Sequence, residues 1–170
     1  MSTNLNLIEM IGLLVGGLAL FLYGLEILTN ALKDIAGSKL QSLLGTLFAP
    51  VAWLIGVPWH DAVVAGNFIG QKLILNEFVA YSGLSPYLQD SAHVAAAGLQ
   101  VLTPKTIAIV SFALCGFANF SSIAILTGGF TAVAPELRSE VARYGMRALA
   151  AATLSNLMSA TIAGLFLSLT

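Results

Sequence analysis

From Thr106 to Pro135 the chain runs thirty residues without a charged side chain, and the middle of that run, Cys115-Gly-Phe-Ala-Asn-Phe-Ser-Ser122, is polar. A helix of roughly 20 apolar residues crosses a hydrocarbon core, so the run is long enough to span. Yet Asn119, Ser121 and Ser122 stand beside Gly116, where a simple lipid anchor would carry leucine. Polar groups at membrane depth are costly unless they face protein, a cavity or a ligand. The pattern predicts a spanning helix broken near Phe117 to Asn119, with a binding site at the break.

Composition places the whole chain in the same setting. Hydrophobic residues make up 58% and charged residues 9%, whereas a soluble domain carries about a quarter charged. An all-α integral membrane protein is expected, multi-pass, in the cell (inner) membrane with the lipid bilayer as its solvent. A net charge of -1 leaves no basic footprint for nucleic acid, and the lone Cys115 precludes an intrachain disulfide. Residues 1–6 lack Lys, Arg and a small-residue cleavage site, so no removable signal peptide is expected.

The remaining segments follow from hydropathy and breakers. An N-terminal domain, 1–39, holds a first spanning helix, 7–32, and ends in a polar break, 33–39. An interfacial helix, 40–57, follows, with Trp53 and Trp59 at the headgroup level. In 60–87, Gly70-Gln71-Lys72 and Asn76-Glu77 divide two arms too short to cross, which predicts a re-entrant hairpin whose tip lies at 71–76. The broken helix covers 105–133, and proline at 135 ends it. Arg138, Arg143 and Arg147 then mark a cytoplasmic loop before the last helix, 144–169, putting the C-terminus outside. Thr153, Ser155, Asn156 and Ser159 give that helix a polar stripe suited to hydrogen bonds between helices.

Two clusters carry the chemistry. Asn76 is a natural N-cap for a second hairpin arm, and Glu77 is its first residue, where the helix dipole favours a carboxylate. Glu77 either accepts hydrogen bonds from a ligand or pairs with Lys72. Phe117, Asn119, Ser121 and Ser122 sit at the helix break and either line a cavity or bond neighbouring helices. An acceptor-only carboxylate beside amide and hydroxyl groups suits vicinal hydroxyls and repels phosphate, so a neutral, sugar-bearing substrate is expected. Paired carboxylates, a nucleophile elbow and His or Cys groups at metal spacing are lacking in the sequence, so an enzyme is not expected.

Phe48-Ala-Pro-Val-Ala-Trp-Leu-Ile-Gly-Val-Pro-Trp59, Leu75-Asn-Glu-Phe-Val-Ala-Tyr81 and Ala113-Leu-Cys-Gly-Phe-Ala-Asn-Phe-Ser-Ser-Ile123 resemble the C-terminal part of concentrative nucleoside transporters. Ala134-Pro-Glu-Leu-Arg138 and Thr153-Leu-Ser-Asn-Leu-Met158 extend the resemblance, which covers about 40–170. It implies a cation-coupled nucleoside symporter, usually trimeric, whose transport core is an inverted repeat with this region as its second half. It also implies that Glu77, Phe117, Asn119 and Ser122 hold the ribose, with Asn76 and Ser121 as secondary candidates. The coupling ion would be sodium or a proton, with no ligand for it carried over to this chain, and no other cofactor is implied.

Residues 7–40 instead resemble the opening of sodium–phosphate cotransporters, through Gly17-Leu-Ala-Leu-Phe-Leu-Tyr-Gly24 and Leu32-Lys-Asp-Ile-Ala-Gly-Ser-Lys39. The function expected is nucleoside symport, this chain contributing the ribose-binding half. The first repeat would come from a second chain or from another copy in a homo-oligomer. A non-transporting or truncated membrane subunit, or a sodium–phosphate cotransporter-like fragment, is the alternative.

Overall fold

The computed structural model describes residues 7–169, with side chains for all of these except 25 and 28–38. Among them every regular element is helical. The order is α1 (Leu7–Leu54), α2 (Trp59–Ile74), α3 (Glu77–Leu84), α4 (Ser91–Ala96), α5 (Pro104–Leu114), α6 (Phe120–Val133) and α7 (Arg138–Leu169). Short 3-10 turns occupy Ser85–Leu88 and Pro135–Leu137.

α1 is assigned as one helix of 48 residues, with no interruption at the expected polar break, 33–39. Polarity by itself does not stop a helix. Gly37 weighs against one by about 1 kcal/mol relative to alanine and Asp34 and Ser38 by less, and the stretch holds no proline. The chain still divides into two compact units between Ser38 and Lys39. In the first, Leu7–Gly24 is long and apolar enough to cross a membrane, and its side chains are exposed.

The second unit opens with Lys39–Leu54, which meets α2 at a 115° bend. The bend is a Schellman closure: Gly56 N–H donates to Trp53 O at 3.0 Å and Val57 N–H to Ala52 O at 3.1 Å. Gly56 has φ +101°, a conformation glycine adopts without a Cβ penalty, and Pro58 follows to start α2. Beyond the bend, the backbones of α1 and α2 touch. A Cβ on Gly66 would lie 2.7 Å from Phe48 C and Ala49 N and 2.8 Å from Gly45 O. Gly70, one turn on, faces Leu44 and Phe48 in the same way. Small residues four apart are the means by which helices approach closely in lipid.

After α2 the chain reverses at Leu75 and Asn76 alone, because α2 continues to Ile74, further than the tip at 71–76 anticipated. α3 folds back on α2, bringing Gly83 against Phe68 and Tyr87 edge-on to Phe68 with ring centroids 5.4 Å apart.

α7 braces both halves of the broken helix. Gly164 receives Ile109 of α5, Gly116 of the break abuts the Asn156 amide, and Gly145 receives Ile123 of α6. The three contacts run antiparallel along one helix of 32 residues. Its start at Arg138 corrects the loop expected before residue 144. The 3-10 turn at Pro135–Leu137 leads directly into it, and the helix formers Arg138, Glu140 and Ala142 continue it. The core between these helices is built from Ala52, Ala62, Ala65, Phe68, Ala80, Leu84, Ile109, Val110, Leu114 and Ala160.

Candidate functional site

Two helix N-termini converge on one carboxylate. At the hairpin, Asn76 is extended (φ −169°, ψ 172°) and its Oδ1 accepts from Val79 N–H at 2.9 Å, capping α3. Glu77, the next residue, is only 8% exposed. At the helix break, Asn119 has the same extended geometry (φ −147°, ψ 166°), and its Oδ1 accepts from Ser122 N–H at 2.8 Å, capping α6. The Asn119 amide Nδ2 then donates to Glu77 Oε2 at 2.8 Å. Each cap removes one unpaired donor from a helix start. The positive ends of both helices favour the anion between them.

The hydroxyls complete the cluster. Ser121 Oγ donates to Asn119 Oδ1 at 2.6 Å, and Ser122 Oγ lies 2.6 Å from Phe117 O and 2.9 Å from Asn119 Oδ1. Asn119 Oδ1 thus faces three donors, counting Ser122 N–H. A carbonyl oxygen has two lone pairs, which Ser121 Oγ and Ser122 N–H fill while Ser122 Oγ gives its proton to Phe117 O. Glu77 Oε1, by contrast, accepts no hydrogen bond among the described residues.

Lys72 does not pair with Glu77. Its ammonium, 4% exposed, instead donates to Ala113 O at 3.0 Å, near the C-terminal end of α5. Tyr81 of α3 donates to the neighbouring carbonyl of Ser111 at 2.8 Å. The hairpin therefore touches both sides of the break, carbonyl end and amide end.

Glu77, Asn119, Ser121 and Ser122 are thus brought into one network, with Asn76 at its edge. Phe117 is 73% exposed and lines a groove of about 300 Å³ between α6 and α7. Asn119 and Ser122 open onto that groove, whose other walls are apolar, from Leu126 and Phe130 to Tyr144 and Leu149. The polar stripe expected to join helices behaves otherwise on α7. Ser159 donates back to Ser155 O at 3.1 Å along its own helix, and Thr153 Oγ1 is buried without a partner. A hydroxyl satisfies itself most cheaply on the carbonyl four residues earlier.

A second polar node escaped the sequence reading. Asp61, fully buried, accepts from Gln100 Nε2 at 2.7 Å, Thr106 Oγ1 at 2.7 Å, and Thr103 N–H and Oγ1 at 3.1 Å. It ties the start of α2 to the start of α5. Its partners lie about forty residues away in sequence, and an acidic residue in the first turn of a helix looks like an ordinary dipole complement.

The family model described as "Na+ dependent nucleoside transporter C-terminus" matches residues 1–164. The match takes in 7–40, so the likeness of that segment to sodium–phosphate cotransporters finds no support in it. The putative nucleoside permease NupX of Escherichia coli is 59% identical over 132 residues, covering 78% of this chain and 30% of that protein. The nucleoside permease NupC of Helicobacter pylori is 44% identical over 175 residues, covering 99% of this chain and 40% of that protein. Human sodium/nucleoside cotransporter 1 is 36% identical over 168 residues, covering 93% and 26%. Among solved structures, CNTnw in an inward-facing substrate-bound state superposes with a TM-score of 0.70 at 48% identity, over 94% of this chain and 37% of that one. The chain spans 40% or less of the length of each of these proteins.

Proposed function

Because the chain belongs to the Na+ dependent nucleoside transporter family, as its C-terminal part, we propose that it supplies the ribose-holding half of a sodium-coupled nucleoside symporter. The observation that carries the reading is the Asn119–Glu77 hydrogen bond, 2.8 Å across the hairpin and the helix break. It leaves Glu77 Oε1 as an open acceptor near the Ser121 and Ser122 hydroxyls. A ribose hydroxyl donates to the carboxylate, while Phe117 offers an apolar ring face to the remainder of the ligand.

In this reading α2 and α3 form a re-entrant hairpin, and their two-residue reversal sits at membrane depth where protein surrounds it. The arginines at 138, 143 and 147 lie toward the cytoplasm. The rest of the core, including the sodium ligands, comes from the part of the architecture that the chain does not span, in the same polypeptide, in another chain or in a symmetric copy.

The test is Glu77→Gln, which keeps an acceptor for Asn119 and replaces the open acceptor by a donor. Expressed with a first half from the same family, the chain is expected to give sodium-dependent uridine uptake. The variant is expected to bind uridine roughly 10- to 100-fold more weakly, the value of a charged hydrogen bond of about 1.5–3 kcal/mol. Unchanged uridine affinity in the variant rejects the ribose role.

A further inference from the structure

A helix broken inside a protein exposes two ends of opposite sign. The last carbonyls of the first half carry partial negative charge, and the first N–H groups of the second half carry partial positive charge. Here the first half ends at Leu114 and the second begins at Phe120. The amide end faces the Glu77 carboxylate through Asn119. Three of the last four carbonyls at the other end are taken up: Ser111 O accepts from Tyr81, Phe112 O from Cys115 N–H, and Ala113 O from Lys72 Nζ.

Lys72 is the last basic residue of α2, and Glu77 is the first residue of α3. The five-residue separation carries one charge of each sign to the two ends of the break. A lysine 4% exposed is a costly thing to bury without an ion pair, and no ion pair to it is present among the described residues. Beside it lies a cavity of about 150 Å³ lined by Lys72, Ala113 and Thr153, among apolar side chains such as Phe48 and Ile69. Thr153 Oγ1 is the buried hydroxyl that has no partner. A carbonyl and a hydroxyl in an apolar enclosure are oxygen ligands of the kind a small monovalent cation takes. The ammonium reaches the carbonyl of that pair on a tether, 3.0 Å from Ala113 O, in the cavity that Thr153 also lines.

We propose that Lys72 is a built-in cation, a positioning residue that closes the carbonyl end of the helix break as Glu77 closes its amide end. On this account this half of the core needs no free ion to hold its broken helix. The inference uses the preceding reading only in that the break it holds is the one bearing the ribose groups.

The test replaces the tethered charge by a free one. In the full chain, purified in detergent, Lys72→Ala is expected to lower the thermal midpoint by several degrees. n-Propylammonium is expected to restore it in a concentration-dependent way, while the neutral analogue 1-propanol does not. Lys72→Met, which keeps the bulk and removes the charge, is expected to show the same loss without recovery by the amine. A Lys72→Met protein that melts with the wild type overturns the proposal, as does recovery of Lys72→Ala by the alcohol as fully as by the amine. The two readings separate cleanly. If the ribose assignment fails, Glu77→Gln leaves uridine affinity unchanged while amine rescue persists. If this inference fails, rescue is absent while Glu77→Gln still weakens uridine.

Discussion

Asn119 performs two tasks that substitution can pull apart. Its Oδ1 caps α6 through Ser122 N–H at 2.8 Å, and its Nδ2 bridges to Glu77 Oε2 at 2.8 Å. Alanine removes both. Serine caps a helix about as well as asparagine but is one bond too short to reach the carboxylate, so it removes only the bridge. The cap is worth about 1 kcal/mol and a hydrogen bond to a charged group about 1.5–3 kcal/mol. Asn119→Ser therefore costs about 1.5–3 kcal/mol and Asn119→Ala about 2.5–4 kcal/mol. For a chain of this length each kcal/mol lowers Tm by about 2–4 °C. The serine variant should then melt roughly 3–12 °C below wild type, and the alanine variant about 2–4 °C below the serine variant.

Circular dichroism of the purified chain in one detergent reads both differences. Repeating the pair on a Glu77→Gln background isolates the bridge, because the bond to a neutral amide is worth only about 0.5–1.5 kcal/mol. The Asn119→Ser cost should shrink there by about 1 kcal/mol. Coincident melting of the serine and alanine variants would refute the capping role. An Asn119→Ser cost that is identical with and without the Glu77 charge would refute the bridge.

Three further outcomes follow from the geometry. Gly66→Ala forces a Cβ to within 2.7–2.8 Å of backbone atoms of Gly45, Phe48 and Ala49; a clash with backbone cannot relax through a rotamer, so a loss of about 3 kcal/mol or more is expected in thermal melting. Asp61→Asn leaves one acceptor oxygen where four donors converge and sets an amide NH₂ against Gln100 Nε2; faster hydrogen exchange at the Thr103 and Thr106 amides and a loss of about 2–3 kcal/mol are expected. In the exposed connector, the His93 backbone N–H, followed by its ring and the Ala92 N–H, holds the Asp90 carboxyl below its ordinary 3.8. A depressed carboxyl stabilises above its unfolded value and loses that contribution as pH falls through its folded value. Exchange protection of the Ala92 and His93 amides should therefore be flat above pH 3.8 and fall away below it.

What could be read from the sequence was what is decided within three or four residues. Asn76 and Asn119 sit as caps because the donors they satisfy, Val79 and Ser122 N–H, are each three positions on. The break around Asn119 was legible for the same reason, since glycine, asparagine and serine cluster where a helix would need aliphatic side chains. The stretch at 33–39 misled because charge was taken as a stop signal, whereas the backbone responds to propensity and to missing N–H groups. Residues 138–147 misled in the same way. Lys72 and Asp61 were illegible because their partners are 41 and 39 to 45 residues distant. For Lys72 the nearest opposite charge in sequence, Glu77, was the natural guess; the structure shows its ammonium on a backbone carbonyl instead. Phe117 was assigned to the right break, but sequence does not say which side of a loop a ring occupies.

The donor and acceptor count at the break bears on ligand class more directly than the presence of any one residue. Asn119 Oδ1 is offered three donors and can take two, and Glu77 Oε1 takes none. Ser122 Oγ gives its single proton to Phe117 O at 2.6 Å, so Ser121 Oγ and Ser122 N–H fill Asn119 Oδ1 and the vacancy the cluster holds is the acceptor at Glu77 Oε1. A hydroxyl fills that vacancy by donating to Glu77 Oε1, without breaking the Asn119–Glu77 bridge or either cap. A fully ionised phosphate has no proton for Glu77 Oε1, would bring its charge against Glu77, and would have to displace the carboxylate from two helix N-termini that already favour it. A carbonyl ligand brings no donor and would leave Glu77 Oε1 unpaired. The sugar-hydroxyl recognition proposed above therefore rests on the one acceptor that the Asn119 bridge leaves open on Glu77.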